Sequence, residues 1–321
     1  MIAFGPVPSR RLGRSLGVNN IPPKICSYAC AYCQLGRTLK LQARRQAFYK
    51  PEMVWASVQD KVAKARQAGE TIDYLTFVPD GEPTLDINLK PILERLKALN
   101  LPIAVITNAS LIWRQDVRED LLNANWVSLK IDTVEEETWR RVNHPHKSLA
   151  LTAILEGALE FATVYEGTLA TETMLVAGVN DSEDQVAAVA DYLARLQPSV
   201  AYLSIPTRPP AKKWVSAPDE KILNRAYQCL REKVQRAEYL IGYEGNAFAF
   251  TGDVEQDLLS ITAVHPMRQD AVNEYLTRAG GDWAVVGRLL EEGKLIETKY
   301  GTHRFYLRTL RIQGKEENDA D

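Results

Sequence analysis

The sequence predicts an α/β protein, in which a parallel sheet with helices outside it is followed by a small second domain. Between residues 51 and 205, short apolar stretches alternate with longer stretches whose apolar residues recur at helical spacing. This alternation is typical of parallel sheets in which each helix connects two successive strands. A chain of 321 residues, 45% of them hydrophobic, is long enough for one large domain and one small one.

The predicted elements follow one another in a regular order. The extended segment 16–23 is predicted as the first strand, and an apolar face through Val54, Val58 and Val62 predicts a helix over 52–68. With the first strand, the pattern gives six strand–helix units. The remaining strands are predicted at 74–78, 103–106, 126–131, 168–176 and 201–205, and the remaining helices near 88–99, 115–123, 148–161 and 182–195.

Three cysteines, Cys26, Cys30 and Cys33, form a C-x3-C-x2-C triplet in a short loop after the first strand. On a 4Fe-4S cluster, three thiolates would fill three corners and leave the fourth iron open. A structural zinc site would need a second cysteine pair or a nearby His, and a disulfide would leave an odd thiol. Cys229, far along the chain, lies beside a helical apolar stripe and is predicted to be buried in the core.

With the aromatic Tyr32 directly before the last cysteine, this triplet resembles the cluster loop of the radical S-adenosylmethionine (radical SAM) superfamily. Residues 5–13 (GPVPSRRLG) and 32–36 (YCQLG) resemble its wyosine-type tRNA-modifying branch. The resemblance implies a partial (βα)6 TIM-like barrel, and a 4Fe-4S cluster whose open iron is chelated by S-adenosylmethionine, with Tyr32 near the adenine. It also implies reductive cleavage of this cofactor to methionine and a 5'-deoxyadenosyl radical, which removes a hydrogen atom from a substrate.

Polar residues after the second and third strands are candidates for binding the cofactor, because chemistry in such barrels takes place at the C-terminal ends of the strands. Asp80-Gly81-Glu82 stands where similar enzymes carry Gly-Gly-Glu, a motif that holds the cofactor's ammonium group. The alternative is a plain Gly-Pro turn flanked by acidic residues. Thr107-Asn108 stands where similar enzymes carry Thr-Asn-Gly, although the third residue differs here.

Ser128, Lys130 and Asp132 share one face of the fourth strand, because side chains alternate between faces with a period of two. Polar side chains inside a barrel are costly unless they are paired or face a ligand. Ser128 and Lys130 are therefore predicted to bind a carboxylate or a ribose, with Asp132 pairing with Lys130. The alternative is an internal Lys130–Asp132 ion pair that binds no ligand.

Glu172, Tyr202 and Arg208 are the candidates for catalysis or substrate binding. Glu172 interrupts an otherwise apolar fifth strand and resembles the ribose-directed or substrate-directed acid of similar enzymes. Tyr202 lies on the sixth strand. Arg208 begins an Arg-Pro-Pro loop across the barrel mouth, where it either clamps a phosphate or carboxylate or remains a surface arginine.

Positive charge is concentrated near the cysteines, since residues 1–50 contain nine basic residues and no Asp or Glu. These residues either attract an anionic partner, such as RNA or a phosphorylated metabolite, or offset the cluster thiolates and pair with the cofactor carboxylate or acidic helices. No apolar run is long enough for a membrane span, and no apolar signal core is present. A thiolate-bound cluster needs reducing surroundings, which predicts the cytoplasm. The resemblance implies a reducing partner of the flavodoxin or ferredoxin type.

A domain boundary is predicted after Gly252, which divides the chain into a barrel domain (1–252), a small domain (253–312) and an acidic, disordered tail (313–321). Helices at 253–262, 268–278 and 283–291, then strands at 295–299 and 303–310, resemble a winged helix. The predicted hairpin is basic, with Lys294, Lys299, Arg304, Arg308 and Arg311 against Glu297. Winged helices often bind nucleic acid, but docking of substrate and simple packing remain open, because a fold does not determine a function.

Three functions fit these observations. The first is a radical SAM enzyme that acts on RNA or a nucleotide, and the second is one that acts on a protein or peptide. The third is a nucleic-acid-binding regulator that uses the cluster as a redox sensor. The acidic residues at the strand ends and Lys130 favour an enzyme, because a sensor needs no site for the cofactor.

Overall fold

The computed structural model describes residues 1–241, 248–263 and 265–309, in which strands and helices alternate as predicted. The strands are β1 (Ala3–Ser9), β2 (Gly13–Val18), β3 (Ile25–Cys26), β4 (Lys40–Leu41), β5 (Tyr74–Phe77), β6 (Ile103–Thr107), β7 (Trp126–Lys130), β8 (Thr168–Met174), β9 (Val200–Ser204), β10 (Ala237–Leu240), β11 (Met267–Arg268), β12 (Leu295–Tyr300) and β13 (His303–Arg308). The helices are α1 (Pro51–Gln67), α2 (Leu89–Leu96), α3 (Gln115–Leu121), α4 (Glu136–Asn143), α5 (Leu151–Val164), α6 (Glu183–Leu196), α7 (Glu220–Lys233), α8 (Val254–Thr262), α9 (Gln269–Ala279) and α10 (Trp283–Glu291).

The main sheet has eight strands in the order β1-β2-β5-β6-β7-β8-β9-β10. The neighbours from β2 to β10 are parallel, and β1 is antiparallel to β2 at one edge. The sheet curls into an open, partial TIM-like barrel, which confirms the predicted fold class. Because successive strands are joined by helices, the C-terminal ends of the parallel strands meet at one rim.

The side chains of β7 show how the strands divide between the two faces of the sheet. Val127 and Leu129 belong to the large core between sheet and helices. Trp126 points to the other face, where it packs with Leu12 and Tyr202 in a second apolar cluster. The predicted alternation along this strand is therefore confirmed, and the apolar cluster fills the interior of the barrel below the polar ends of the strands.

The N-terminal edge of the sheet differs from the prediction. The first parallel strand is Gly13–Val18 and not 16–23, and it pairs with an unpredicted antiparallel strand, Ala3–Ser9. Pro6 and Pro8 conceal β1 in the sequence, because proline lacks the N–H that a central strand must donate. An edge strand tolerates proline, since one side of it needs no partner.

Besides β1 and the two-residue strands β3, β4 and β11, two elements were not predicted. Helix α4 (Glu136–Asn143) precedes α5, and β10 (Ala237–Leu240) adds a seventh parallel strand after the six strand–helix units. Helix α4 has eight residues, of which only Trp139 and Val142 are apolar, and β10 has only four residues, so neither gives an apolar pattern of useful length. The predicted helix near 148–161 is found at Leu151–Val164.

The C-terminal unit contains the predicted three helices and the hairpin β12–β13, and it adds the short strand β11, which pairs with β13. The predicted basic residue Arg311 and the acidic tail (313–321) lie outside the described residues. The unit shares a hydrophobic cluster with β1, in which Phe4 and Phe248 pack with Leu258 and Tyr275. Residues on both sides of the predicted boundary after Gly252 therefore pack in one hydrophobic cluster.

Candidate active site

The cysteine loop is held against the rim of the barrel by backbone hydrogen bonds. The N–H of Ala31 donates to the Val142 carbonyl over 2.8 Å, and the N–H of His146 donates to the Ser27 carbonyl over 2.9 Å. On its other side, β3 pairs with the short strand β4, and Ile25 forms a bridge to Gly81 after β5. The loop therefore has contacts with the segments that follow β5 and β7, the strands on either side of β6.

Side-chain amides point at two of the three sulfurs. The Nδ2 of Asn108 lies 3.5 Å from Cys26 Sγ, and the Nδ2 of Asn143 lies 3.5 Å from Cys30 Sγ. Burial raises the pKa of all three thiols, and burial together with Asp132 raises that of Cys30 to about 12. Such thiols are protonated at neutral pH and become thiolates only beside a strongly positive partner such as iron.

Three thiols in one short loop suit a 4Fe-4S cluster. In the described ranges, no group of three or more His, Cys, Asp or Glu side chains is drawn together in a way that would hold one metal ion. A four-iron cluster binds each cysteine to a different iron, so its ligands need not converge on one point. Cys26, Cys30 and Cys33 are the residues that would hold it. N–H donors toward sulfur, such as those of Asn108 and Asn143, are a means of setting a cluster's reduction potential.

Asp80-Gly81-Glu82 follows β5 and lies against the cysteine loop, but neither carboxylate is free. Asp80 Oδ2 pairs with Lys24 Nζ at 3.2 Å. Glu82 is almost fully buried and accepts hydrogen bonds from the N–H and hydroxyl of Thr84, from Thr107 Oγ1 and from the N–H of Asn108, over 2.6–3.0 Å. Glu82 and Thr107 therefore organise this rim from within. The Asn108 side chain does the same, because it donates to Ser27 Oγ and accepts from the N–H of Ser110, each over 2.9 Å.

Gly81 fits its position because it has no side chain. Its φ is +152°, and an added Cβ would overlap the Ile25 carbonyl oxygen. We expect Gly81→Ala to push the cysteine loop off the end of β5, to lower the free energy of unfolding by about 1–3 kcal/mol and to reduce bound iron severalfold. Urea titration and iron analysis after anaerobic reconstitution measure both effects.

Gly287→Ala is the matched control for this prediction, because Gly287 lies in α10 and nothing stands within 4 Å of an added Cβ there. That variant should be as stable as the parent or more so, since alanine favours a helix. Full iron content in Gly81→Ala would show that the close approach of Gly81 to Ile25 does not support the loop.

Tyr32, Asp132 and Asn143 form a hydrogen-bonded group beside the cysteines. The Tyr32 hydroxyl donates to Asp132, and the Asn143 Nδ2 donates to the same Oδ2 over 2.7 Å. The other oxygen of Asp132 accepts from the N–H of Met174 over 2.9 Å. Asp132 thus fixes the orientation of Tyr32, while Lys130 Nζ lies 5.0 Å from the centre of the Tyr32 ring.

Lys130 and Glu172 form the main ion pair inside the barrel, at 2.8 Å, whereas Lys130 is 3.9 Å from Asp132. The predicted Lys130–Asp132 pair is therefore secondary. Glu172 also accepts from Arg11 and, over 3.0 Å, from the Ser204 hydroxyl. Burial by itself would raise the pKa of Glu172, but Lys130 and Arg11 outweigh it and hold the pKa below its ordinary range.

A cavity of about 300 Å³ reaches from the cysteine loop to the C-terminal unit. Tyr32 and Cys33 line it beside the loop, and apolar side chains such as Val78, Ile106 and Met174 form part of its wall. Its charged lining, among the described residues, comprises the cations Arg10, Arg11, Lys130 and Arg208 and the anion Glu172.

Arg208 and His265 meet in the wall of this cavity. The Arg208 Nη1 donates to Gln34 Oε1 over 2.6 Å, and its Nη2 lies 2.9 Å from His265 Nε2. Burial and the cations Arg208 and Arg10 lower the pKa of His265 well below its ordinary value, so the imidazole is neutral at neutral pH. Arg208 is buried here, which contradicts the alternative of a surface arginine.

Of the predicted site residues that are not among the described residues lining the cavity, Tyr202 and Ser128 lie within strands of the barrel rather than in the loops at its rim. Tyr202 belongs to the apolar cluster in the barrel interior, with Trp126 and Leu240, and burial raises its pKa. Ser128 is buried on β7, two residues before Lys130 and on the same face of the strand. Neither residue is among the described residues that line the cavity, so Tyr202 remains a prediction without support from this geometry.

Sequence patterns did not single out Arg11, Asn143 or His265 as site residues. Arg11 was visible as part of the basic N-terminal segment, but β1 and β2 had to fold before it could reach Glu172. Asn143 ends a helix that was not predicted, and His265 lies between elements of the C-terminal unit. These residues come together only through contacts between distant parts of the chain.

Comparison with known proteins bears on this arrangement. Residues 20–193, which include the three cysteines and β5–β8, match the Radical SAM superfamily. The chain belongs to the radical SAM superfamily. It is 45% identical over 316 residues to the UPF0026 protein MJ1312 of Methanocaldococcus jannaschii, and the match covers 98% of both chains.

Two solved structures show the same fold as this radical SAM protein. One is a radical SAM methyltransferase from Sphaerobacter thermophilus, with a TM-score of 0.53 and 18% identity over 71% of this chain and 66% of that one. The other is TYW1 with a lysine-pyruvate adduct bound, with a TM-score of 0.53 and 15% identity over 69% of this chain and 74% of that one. TYW1 belongs to the wyosine-type tRNA-modifying branch, so the predicted resemblance to that branch is confirmed at the level of the fold.

Membership makes the protein a radical SAM enzyme, which needs a reductant, and implies a 4Fe-4S cluster and S-adenosylmethionine as cofactors. The donor set agrees with that implication, because three thiols in one loop leave one iron of a cluster open. Within the described part of the chain, no helix is long and apolar enough to cross a membrane.

Proposed function

We propose that this radical SAM enzyme acts in the cytoplasm on an anionic substrate, RNA or a nucleotide, that enters the cavity between the cysteine loop and the C-terminal unit. The observation that carries the proposal is the lining of this cavity, where Arg10, Arg11, Lys130 and Arg208 come from three separate segments of the chain. Arginine in particular is suited to binding phosphate and carboxylate groups.

The residues at the rim are suited to holding S-adenosylmethionine. Backbone carbonyls beside Gly81 would accept from its amino group. Lys130, which pairs with Glu172 in this structure, lines the same cavity as Tyr32 and Cys33 and would meet its carboxylate there. Asp132 positions the Tyr32 ring as one wall for the adenine. Glu82, Thr107 and Asp80 support these groups through the hydrogen bonds and the ion pair that they make with the protein.

When bound, the cluster and S-adenosylmethionine supply a one-electron reductive cleavage that gives methionine and a 5'-deoxyadenosyl radical able to remove a hydrogen atom. The contribution of the chain is to orient the substrate and to exclude water and other hydrogen donors. The apolar wall at Val78, Ile106 and Met174 serves the second purpose. Glu172, fixed by Lys130 and Ser204, offers an acceptor to a ribose or substrate hydroxyl.

Anaerobic reconstitution tests the reaction class. With iron, sulfide, dithionite and S-adenosylmethionine, we expect formation of 5'-deoxyadenosine, measured by chromatography and mass spectrometry. A redox-sensing regulator that binds nucleic acid would give a redox-active cluster without this product. If protein with full iron content formed no 5'-deoxyadenosine, the result would therefore favour the redox-sensing regulator.

Binding measurements test the substrate class. If RNA is the substrate, affinity for bulk tRNA should fall steeply with salt, because phosphate contacts release counterions. Arg208→Gln should weaken binding of RNA or a nucleotide, whereas Arg231→Gln, on the outer helix α7, should not. Binding that is absent or independent of salt would favour a protein or peptide substrate.

A further inference from the structure

Exposed basic and apolar side chains lie on the two segments that are hydrogen-bonded to the cysteine loop. We call these segments, residues 37–44 and 212–214, the outer rim. Leu39, Leu41 and Trp214 are 52%, 40% and 45% exposed, which places three large apolar side chains in contact with water on segments attached to one loop. Arg37, Lys40, Arg44, Lys212 and Lys213 are exposed between and beside them.

Both segments of the outer rim are attached directly to the cysteine loop. Lys40 and Leu41 pair with Ile25 and Cys26 in a short parallel ladder, and the N–H of Gln42 donates to the Cys26 carbonyl over 2.9 Å. The N–H of Lys212 donates to the Ala31 carbonyl over 3.0 Å. A protein bound to the outer rim would therefore contact segments that are hydrogen-bonded to the loop of the cluster ligands.

The electrostatic character of the outer rim is positive. The first segment contains no acidic residue, and no Asp or Glu occurs anywhere in residues 1–50. Next to the second segment, the Arg141 guanidinium lies 5.9 Å from the centre of the Trp214 ring. Burial and then Lys212 lower the pKa of His144, so the Lys212 ammonium lies close to this imidazole.

We propose that the outer rim is the docking surface for a small acidic electron-carrier protein that reduces the cluster. The exposed leucines and Trp214 would form the apolar centre of the interface, and the ring of lysines and arginines would steer an acidic partner to it. In each encounter the carrier loses one electron, for a flavodoxin from hydroquinone to semiquinone, and the cluster gains it, from the 2+ to the 1+ state.

The position of the outer rim favours a carrier over an RNA substrate. A substrate must reach the cavity in which the cofactor binds, but no residue of the outer rim is among the described residues that line that cavity. An electron carrier needs only to approach the cluster from outside. The inference rests on the proposed function in one respect, namely that this cluster is the one that is reduced for catalysis.

The test uses reconstituted holoenzyme and flavodoxin as the probe. The rate of cluster reduction by flavodoxin hydroquinone is followed by stopped-flow absorbance, and the affinity of the two proteins by calorimetry. We expect the wild-type rate to fall with ionic strength, and Lys40→Glu and Lys213→Glu each to lower rate and affinity about tenfold or more. Leu41→Ser should weaken the affinity with less effect on the salt dependence.

Two controls separate docking from other defects. Arg195→Glu, an equal charge change in the last turn of α6, should leave the reaction with flavodoxin unchanged. Dithionite, which is small and needs no docking surface, should reduce every variant at the wild-type rate and support 5'-deoxyadenosine formation.

The proposal is overturned if flavodoxin reduces the Lys40→Glu and Lys213→Glu variants as fast as wild type. It is equally overturned if these variants lose affinity for tRNA while their reaction with flavodoxin is kept, since the surface would then belong to RNA. Loss of 5'-deoxyadenosine with dithionite in wild type would instead contradict the proposed function.

Discussion

Replacing Cys30 by alanine is expected to abolish formation of 5'-deoxyadenosine, by at least about a thousandfold. Cys30 is one of the three thiols predicted to fill three corners of the cluster, and no fourth cysteine is in this loop to take its place. Iron and sulfide analysis should show loss of the intact cluster, and product analysis after anaerobic reconstitution should show loss of cleavage.

Cys229→Ala is the matched control, because Cys229 lies on α7, in a groove between α6 and α7 that is separate from the central cavity. Cys229 is half-buried and packs against the main core, which partly confirms the predicted location. Its variant should retain iron and activity. Retained turnover in Cys30→Ala, or lost activity in Cys229→Ala, would contradict the assignment of the cluster ligands.

Removing the carboxylate of Glu172 is expected to have the largest effect on stability. Glu172→Ala leaves Lys130 and Arg11 without their shared carboxylate in a mostly buried site, and breaking one partner of a buried ion pair costs about 3–5 kcal/mol. Glu172→Gln keeps the shape and the hydrogen bond from Ser204, so its loss should be smaller. Urea denaturation gives both values.

Asp60→Ala provides the comparison at the surface, since it breaks the exposed Asp60–Lys64 pair in α1. Exposed pairs of this kind contribute about 0–1 kcal/mol. If Glu172→Ala proved no more destabilising than Asp60→Ala, the Lys130–Glu172–Arg11 group would not support the barrel.

The Lys130–Glu172–Arg11 group also predicts how the free energy of unfolding depends on pH. Because the pKa of Glu172 is held below its ordinary value in the folded protein, its contribution to stability is complete above the unfolded pKa of about 4.3. That contribution decreases as the pH falls toward the folded pKa. The stability difference between wild type and Glu172→Gln should therefore narrow below about pH 4. A constant difference across this range would contradict the lowered pKa.

Local sequence patterns predicted much of the fold. The strands from β5 to β9 and most of the helices between them have strong periodicity and clear turn residues, so their positions were predicted closely. β1 was missed because prolines interrupt it, and α4 and β10 because their apolar faces are short. These elements form through pairing and burial, which are not properties of a short window of sequence.

The sequence by itself determined the cysteine triplet, and through it the family, which implies the cluster and the class of chemistry, because ligand spacing within one short loop is a local property. It also determined the polar face of β7, because alternation along a strand is local as well. Only the tertiary structure decided that Glu172 pairs with Lys130 and Arg11, and that Glu82 is occupied by Thr107 and Asn108. It likewise decided that His265 meets Arg208 across the cavity. These partners are separated by up to 161 residues along the chain. The curl of the sheet and the shared core with β1 set the distances between them, and no local pattern records those distances.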